Sequence, residues 1–314
     1  MRSRSLTRLL CCAALVVACQ SALVQSQSSS IQQPKSNAVY LYATVQNKEG
    51  AYALDLDKSY FTLKSQKEIE EITSVSSAAP ETSIALLIDV SGSIQEIKQT
   101  WQRPALDGLA AFLRQSKGAN EYLLMFFAGD TNMAVDWTRD PELVIGAMNR
   151  RMSSKQTGAT AMYDSCQKAI EQLSLRATER RVIILVTDGE DNASRTESSN
   201  FKEMLKKSDV LIYSITGPGM NDSLSAFGRL ALNGLAAISG GEALIANRAR
   251  ELTAAFQEIA SRLQHQYRIG FYPKTLDNKW HPIDLSVTVH SNDNPPKKKH
   301  LVVHTRQGFY AIAR

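Results

Sequence analysis

The sequence predicts an α/β protein with a doubly wound, mostly parallel central sheet flanked by helices, plus a small β unit from the N- and C-terminal segments. Apolar runs at 84–88 and 182–186 carry no charge, as strands buried on both faces of a parallel sheet do. Between 81 and 264, such strands alternate with segments of helical periodicity. The last fifty residues alternate apolar and polar residues, which indicates antiparallel strands with one solvated face.

The N-terminus has the composition of an export signal. Three arginines and no acid precede residue 9, and the apolar stretch at 9–18 is too short to cross a bilayer. We therefore predict a signal peptide at 1–18 and an exported protein in the periplasm, in the cell envelope or outside the cell. Residues 16–19, Val-Val-Ala-Cys, are similar to a bacterial lipobox. Cys19 is therefore either lipidated or lost through cleavage further on, for instance after Ser26.

Two segments precede the α/β domain. Residues 19–36 are rich in serine and glutamine, which predicts a flexible tether. Residues 37–80 form an N-terminal β segment, with strands expected at 39–45, 60–63 and 69–75.

The α/β domain is predicted at 81–264, a length that suits one core. Its strands are expected at 84–88, 122–127, 134–138, 182–186, 210–215 and 243–246. Helices are expected near 141–151, 161–174, 197–208, 224–239 and 249–264, after a first helix that is bent or begins afresh at Pro104. Residues 265–314 form a C-terminal β segment with strands at 267–272, 283–290 and 300–305. We expect these strands to pair with those of the N-terminal segment.

Polar residues follow two of the buried strands. Asp-Val-Ser-Gly-Ser at 89–93 comes directly after one strand, and Thr-Asp-Gly at 187–189 comes after another. Loops at the carboxyl ends of parallel strands converge, so these pieces can meet although about a hundred residues separate them. Gly-Ala-Thr at 158–160 supplies a third piece. We expect Gly92 to allow a sharp turn that lets the serines on either side face one centre.

The side chains of the three pieces are hard oxygen donors. Two carboxylates and three hydroxyls suit Mg²⁺ or Mn²⁺, and two negative charges balance a divalent ion. The predicted metal ligands are Asp89, Ser91, Ser93, Thr160 and Asp188. The ordinary alternative is a helix cap formed by Asp89 and Ser93, since Asp-x-Ser-x-Ser alone is a weak signal. The following acidic run at 189–192 is interpreted as a solvated loop rather than a second metal site.

These motifs resemble the metal-ion-dependent adhesion site of the von Willebrand factor A domain. The family pattern of Asp-x-Ser-x-Ser, a Thr, and an Asp in a Thr-Asp-Gly turn is complete here. The resemblance implies that Ser91, Ser93 and Thr160 coordinate the ion through hydroxyls, whereas Asp89 and Asp188 act directly or through water. The flanking segments, including Arg-Gln-Gly-Phe-Tyr-Ala at 306–311, are similar to the acidobacterial type of von Willebrand A-related proteins.

Other classes of function find little support in the sequence. There is no Gly-x-Ser-x-Gly elbow, His-Glu-x-x-His helix or phosphate-binding glycine loop, and all five histidines fall in the last fifty residues. We therefore predict no enzyme. The net charge of +5 falls to +2 without Arg2, Arg4 and Arg8, which gives no indication of nucleic-acid binding. Cys166 lies on an apolar helical face and is expected in the core.

The sequence thus predicts an exported, monomeric module that binds a protein through a metal. The partner presents an Asp or Glu carboxylate, and contact with a membrane is expected only through lipid at Cys19. The alternative is a structural component of the cell envelope in which the metal only stabilises loops.

Overall fold

The computed structural model describes residues 37–92, 98–115, 120–152, 158–217, 225–290 and 298–313. They belong to one unit, Asn37–Arg314. The helices of the described residues are α1 (Lys98–Gln115), α2 (Pro141–Met152), α3 (Met162–Ser174), α4 (Ser198–Lys207), α5 (Ser225–Ser239) and α6 (Ala249–Gln264). The strands are β1 (Val39–Gln46), β2 (Phe61–Ser65), β3 (Glu68–Glu70), β4 (Ile72–Ser76), β5 (Thr82–Asp89), β6 (Asn120–Phe127), β7 (Thr131–Thr138), β8 (Arg180–Val186), β9 (Val210–Thr216), β10 (Ala243–Ile245), β11 (Tyr267–Phe271), β12 (Trp280–His290), β13 (Lys298–His300), β14 (Val302–His304) and β15 (Gly308–Tyr310).

The central sheet has the strand order β10-β9-β8-β5-β6-β7. All neighbouring strands in it are parallel except β7, which pairs with β6 in the antiparallel sense. Strands β5 and β8 lie side by side at the centre, with Ile88 opposite Val186. The prediction of a mostly parallel sheet with helices on both faces is confirmed.

Alternate residues of each central strand enter two separate cores. Ile84, Leu86 and Ile88 of β5 face a core covered by α1, α2 and α6. Ala85 and Leu87 face the opposite core, covered by α3, α4 and α5. Because β5 is buried on both faces, its middle part at 84–88 is apolar on both faces and forms an unbroken apolar run in the sequence.

The two ends of the chain form a β unit with its own core. β1 lies between β11 and β14, and β12 pairs with β2, so strands of the N-terminal segment pair with strands of the C-terminal segment in both sheets of this unit. Leu41, Leu63, Ile269 and Phe271 are fully buried in this core. The predicted pairing of the two β segments is confirmed.

Three predicted elements differ in detail. Helix α1 continues through Pro104, so it does not begin afresh there, and a bend at this proline stays a prediction. The strand predicted at 69–75 is two strands, because β3 pairs with β2 whereas β4 pairs with β11. The strand predicted at 300–305 also divides, since β13 pairs with β12 and β14 with β1. Among the described helices, none is long and apolar enough to cross a bilayer.

Candidate metal centre

The first and third pieces of the predicted site meet where β5 and β8 end. The Thr187 hydroxyl donates a 2.6 Å hydrogen bond to Oδ2 of Asp89. The other carboxylate oxygen, Oδ1, accepts the backbone N–H of Ser91 at 2.9 Å. Both oxygens of Asp89 are therefore held in fixed directions by the two loops.

The second piece is bound to both of the others. The backbone N–H of Gly92 donates to the carbonyl of Gly158 at 3.2 Å. Thr160 exchanges two hydrogen bonds with Asn192: its N–H donates to Oδ1 of Asn192 at 2.7 Å, and its carbonyl accepts the N–H of Asn192 at 2.9 Å. Three loops that are far apart in sequence thus form one hydrogen-bonded cluster at the carboxyl edge of the sheet.

Four of the five predicted ligands lie in this cluster, and Ser93 lies outside the described residues. Exposed fractions are 0% for Asp89, 1% for Ser91, 3% for Thr160 and 4% for Asp188. Oδ1 of Asp188 accepts the backbone N–H of Glu190 at 3.0 Å. The cluster is therefore nearly shielded from water, which makes an uncompensated charge within it expensive.

Asp89 carries that electrostatic cost. Burial raises the pKa of its carboxyl from 3.8 to about 7, against the hydrogen bonds from Ser91 and Thr187, which lower it. The charge of Asp188 raises this pKa further. A divalent cation would stabilise the charged forms of these two neighbouring carboxyl groups.

The donor set fits a hard divalent cation. Carboxylate and hydroxyl oxygens are the ligands that Mg²⁺ and Mn²⁺ prefer. Within the described ranges, no three His, Cys, Asp or Glu residues are grouped as a metal site. Coordination here therefore requires hydroxyl ligands in addition to Asp89 and Asp188.

Two glycines allow helix α5 to approach the site closely. Gly189 has φ +83°, and a Cβ at Gly228 in the first turn of α5 would lie 2.4 Å from the carbonyl oxygen of Asp188. A side chain at either position would therefore displace the turn that carries Asp188. Gly92 does not adopt a left-handed φ, and a Cβ there would meet the Gly158 carbonyl oxygen at an ordinary 3.5 Å. The turn that would bring Ser91 and Ser93 to one centre stays a prediction, because Ser93 lies outside the described residues.

The loop after β8 holds the start of α3 in place, a role that the sequence does not predict. Oδ2 of Asp191 accepts the N–H of Tyr163, and the Ser194 hydroxyl accepts the N–H of Asp164, so this loop caps α3. In return, the carboxylate of Asp164 accepts the N–H groups of Arg195 and Thr196, both at 2.9 Å. The sequence predicts only an acidic, solvated loop at 189–192, because the strand order that places this loop against α3 has no local signature.

A groove of about 540 Å³ opens beside the cluster. It lies between α3, the turn that joins β6 to β7, and the loop after β8. Its charged lining includes the ion pair between Lys168 and Asp130, with 3.0 Å between Nζ and Oδ1, and the side chain of Arg195. The groove shares Ala161, the residue after Thr160, with the rim of the cluster. Space for a partner therefore adjoins the predicted ligands.

The remaining predicted residues lie as expected or away from the edge. Cys166 is buried in the core with Met162, Ala169 and Leu173, and burial raises the pKa of its thiol to about 12. His281 is buried in the β unit, where its ring stacks on Phe309.

Comparison with known proteins finds a matching sequence family and solved structures with a similar fold. A sequence model of the von Willebrand factor type A domain matches residues 84–190. Proximal thread matrix protein 1 from the mussel byssus, solved with a zinc-occupied MIDAS motif, has a similar fold, with a TM-score of 0.50 and 17% identity over 62% of this chain and 48% of that protein. This chain thus spans about half of the mussel protein. No curated protein gives a significant match.

Two bacterial structures are also similar. The von Willebrand factor domain of the type V pilus tip protein Mfa5 from Porphyromonas gingivalis matches with a TM-score of 0.47 and 13% identity, over 59% of this chain and 95% of that domain. The D319A mutant of the minor pilin PilB from Streptococcus sanguinis matches with a TM-score of 0.48 and 10% identity, over 72% of this chain and 88% of that protein. Together, the family match at 84–190 and the doubly wound sheet show that the chain contains a von Willebrand factor type A domain.

Proposed function

We propose that the protein is a metal-dependent protein-binding module. In this proposal, Asp89, Ser91, Ser93, Thr160 and Asp188 hold Mg²⁺ or Mn²⁺, and an Asp or Glu carboxylate of a partner protein completes the coordination. The metal, when bound, supplies an electrophilic site for that carboxylate. The observation that carries the proposal is the convergence of Asp89, Ser91, Thr160 and Asp188, all nearly fully buried, in one hydrogen-bonded cluster at the carboxyl edge of the sheet.

The residues of the chain have separate tasks in this proposal. Thr187 and the N–H of Ser91 orient the Asp89 carboxylate, and Asn192 fixes the position of Thr160. The groove beside α3 offers room and charged side chains for the remainder of the partner. A binding role rather than catalysis is consistent with the lack of histidine between residues 1 and 264. The exported location, the monomeric state and lipid at Cys19 stay predictions from the sequence.

Metal binding is tested first, by thermal unfolding of the chelator-treated protein with Mg²⁺, Mn²⁺, Ca²⁺ or Zn²⁺. Zinc belongs in the panel because the mussel protein holds it in a MIDAS motif. A bound ion at a hundred times its Kd stabilises the fold by about 2.7 kcal/mol. Ser91→Ala should reduce this stabilisation, whereas Ser199→Ala, at an exposed position of α4, should leave it unchanged.

Partner binding is tested next, because a metal that only stabilises loops would pass the first test. Proteins of an envelope extract are captured on the immobilised protein in Mg²⁺ and in EDTA. The proposal expects a specific protein that is retained only with metal, and that is lost when its own contacting Asp or Glu is changed to the amide. Capture that survives both EDTA and Asp188→Asn contradicts the proposal. Metal stabilisation without metal-dependent capture favours the structural alternative.

A further inference from the structure

Helix α5 is apolar on both of its faces. Leu232, Leu235 and Ile238 are buried against the sheet, as expected for a helix of this domain. The opposite face carries Phe227 and Leu230, one turn apart, with exposed fractions of 79% and 70%. A helix of a soluble domain normally places polar residues on its outer face. The outer face of α5 therefore has the composition of an interface.

The charge of α5 agrees with this interpretation. Of its fifteen residues, Arg229 is the single charged one, and the helix contains no acid. In contrast, α4, which lies next to α5, has four charged residues among ten. The side chains of α5 itself would therefore not repel an acidic segment. Such a segment could also shield the two large exposed apolar side chains from water.

The same turn of α5 lies against the metal centre. Gly228, between Phe227 and Leu230, packs so closely on Asp188 and Gly189 that a Cβ would come within 2.4 Å of backbone. The exposed apolar pair therefore sits on the rim of the predicted metal site. It lies on the Asp188 side, whereas the charged groove lies on the α3 side.

We propose that Phe227 and Leu230 form an apolar subsite for a peptide segment of the partner in which a large aliphatic or aromatic residue accompanies the acidic residue. This inference rests on the proposed function, since the acidic residue enters the metal site. The apolar residue of the segment packs on α5, and its spacing from the acid fixes which segments bind.

The size of the patch favours this occupant over two others. A stable dimer buries roughly 800 Å² on each partner, far more than two side chains offer. The patch carries one basic residue, whereas adsorption to anionic lipid is promoted by clusters of them. When the metal already holds the carboxylate of the segment, however, one additional apolar contact raises the affinity of the segment for the protein about tenfold or more.

Random twelve-residue peptides displayed on phage provide the test. The full protein, immobilised in Mg²⁺, should enrich peptides that contain Asp or Glu and, at a fixed spacing, Leu, Ile, Met or Phe. Synthetic copies of these peptides should lose about tenfold in affinity towards Phe227→Ser and towards Leu230→Ser. The matched control is Leu175→Ser, since Leu175 is 76% exposed but follows the far end of α3. Unfolding curves of the three variants establish that each is folded.

The outcomes separate this inference from the proposed function. Chelator-sensitive binding that is equal for wild type, Phe227→Ser and Leu230→Ser overturns the apolar subsite and leaves the metal-dependent function intact. Binding that ignores both EDTA and Asp188→Asn overturns the function itself. The subsite is also overturned if no peptide is enriched, if concentration-dependent dimers disappear in Phe227→Ser, or if the wild type binds anionic vesicles and this variant does not.

Discussion

Thr187 donates its hydroxyl proton to Oδ2 of Asp89 over 2.6 Å, so the ends of β5 and β8 are joined through a side chain as well as through the sheet. This bond lowers the pKa of Asp89 against the opposing effect of burial. Thr187 is thus a positioning residue for a carboxylate that we propose as a metal ligand.

Replacing Thr187 by Val should weaken metal binding. Without the hydroxyl, the pKa of Asp89 rises above about 7, so a larger share of the carboxyl is protonated at neutral pH. The unpaired buried oxygen should also cost about 1–3 kcal/mol of stability. Calorimetric titration with Mg²⁺ at pH 7 measures the first effect and urea unfolding the second. Thr216→Val, at the buried end of the adjacent β9, is the matched control and should leave Mg²⁺ affinity unchanged.

The metal-free protein should lose stability as the pH rises towards 7. The pKa of Asp89 is about 7 in the folded protein and about 3.8 when exposed, so the folded state binds the proton more tightly. The contribution of Asp89 is therefore fully present below pH 3.8, is lost between the two values, and stays constant above them. The loss amounts to up to about 4 kcal/mol at 1.36 kcal/mol per pKa unit. Urea unfolding in EDTA at pH 5 and pH 8 measures the part of this loss that falls above pH 5, about two of the three pKa units.

Asp89→Asn isolates this effect, because the amide does not titrate. In EDTA, the difference in unfolding free energy between the variant and the wild type should move in favour of the variant from pH 5 to pH 8. An identical difference at both pH values would show that Asp89 titrates normally. The same variant should bind Mg²⁺ poorly, since a ligand charge is gone.

Two glycines of α5 should respond in opposite ways to alanine. Gly228→Ala forces a Cβ against the Asp188 carbonyl, so it should displace the turn, destabilise the fold and weaken metal binding. Nothing lies within 4 Å of a Cβ at Gly234 on the same helix. Gly234→Ala should therefore stabilise by about 0.4–1 kcal/mol through helix propensity and chain entropy. Thermal unfolding with and without Mg²⁺ distinguishes the two, and equal effects of both substitutions would contradict the close packing.

Replacing Arg180 should lower the free energy of unfolding and leave the affinity for Mg²⁺ unchanged. Its guanidinium is buried and donates to Thr82 Oγ1 at 3.0 Å, to the Leu263 carbonyl at 2.7 Å and to Gln266 Oε1 at 3.0 Å. Arg180→Met leaves these acceptors unpaired and should cost about 2–4 kcal/mol.

The control for Arg180 is Arg103→Met. The side chain of Arg103 is 79% exposed and pairs with Asp107 one turn further on, so its loss should change stability by less than about 0.5 kcal/mol. Denaturant midpoints and Mg²⁺ titrations of both variants provide the comparison. A reduced Mg²⁺ affinity in folded Arg180→Met would contradict the separation of the two roles.

The sequence predicted those features that are encoded locally. Unbroken apolar runs predict strands that are buried on both faces, such as β5. The polar residues directly after two of these runs predicted that Asp89 and Asp188 lie close together. The amphipathic pattern of α3 placed Cys166 in the core, as observed.

Features that depend on the partners of a strand were not predictable in the same way. The change of sheet at Glu71 and Leu301 has no local signature, since each side of the break is equally suited to a strand. The exchange of hydrogen bonds between Thr160 and Asn192 likewise depends on strand order. The exposure of Phe227 and Leu230 was not predictable, because an apolar helix has the same sequence pattern whether other elements cover one or both of its faces.

The pairing of β4 with β11 gives the architecture a practical property. Ser76, which ends β4 five residues before the α/β domain begins at 81, lies directly opposite Arg268, four residues after the domain ends at 264. Entry and exit of the inserted domain are thus adjacent, so it could be removed or exchanged at a single point. A short connection between these strands would retain their pairing while other von Willebrand factor A domains are grafted onto the same β platform.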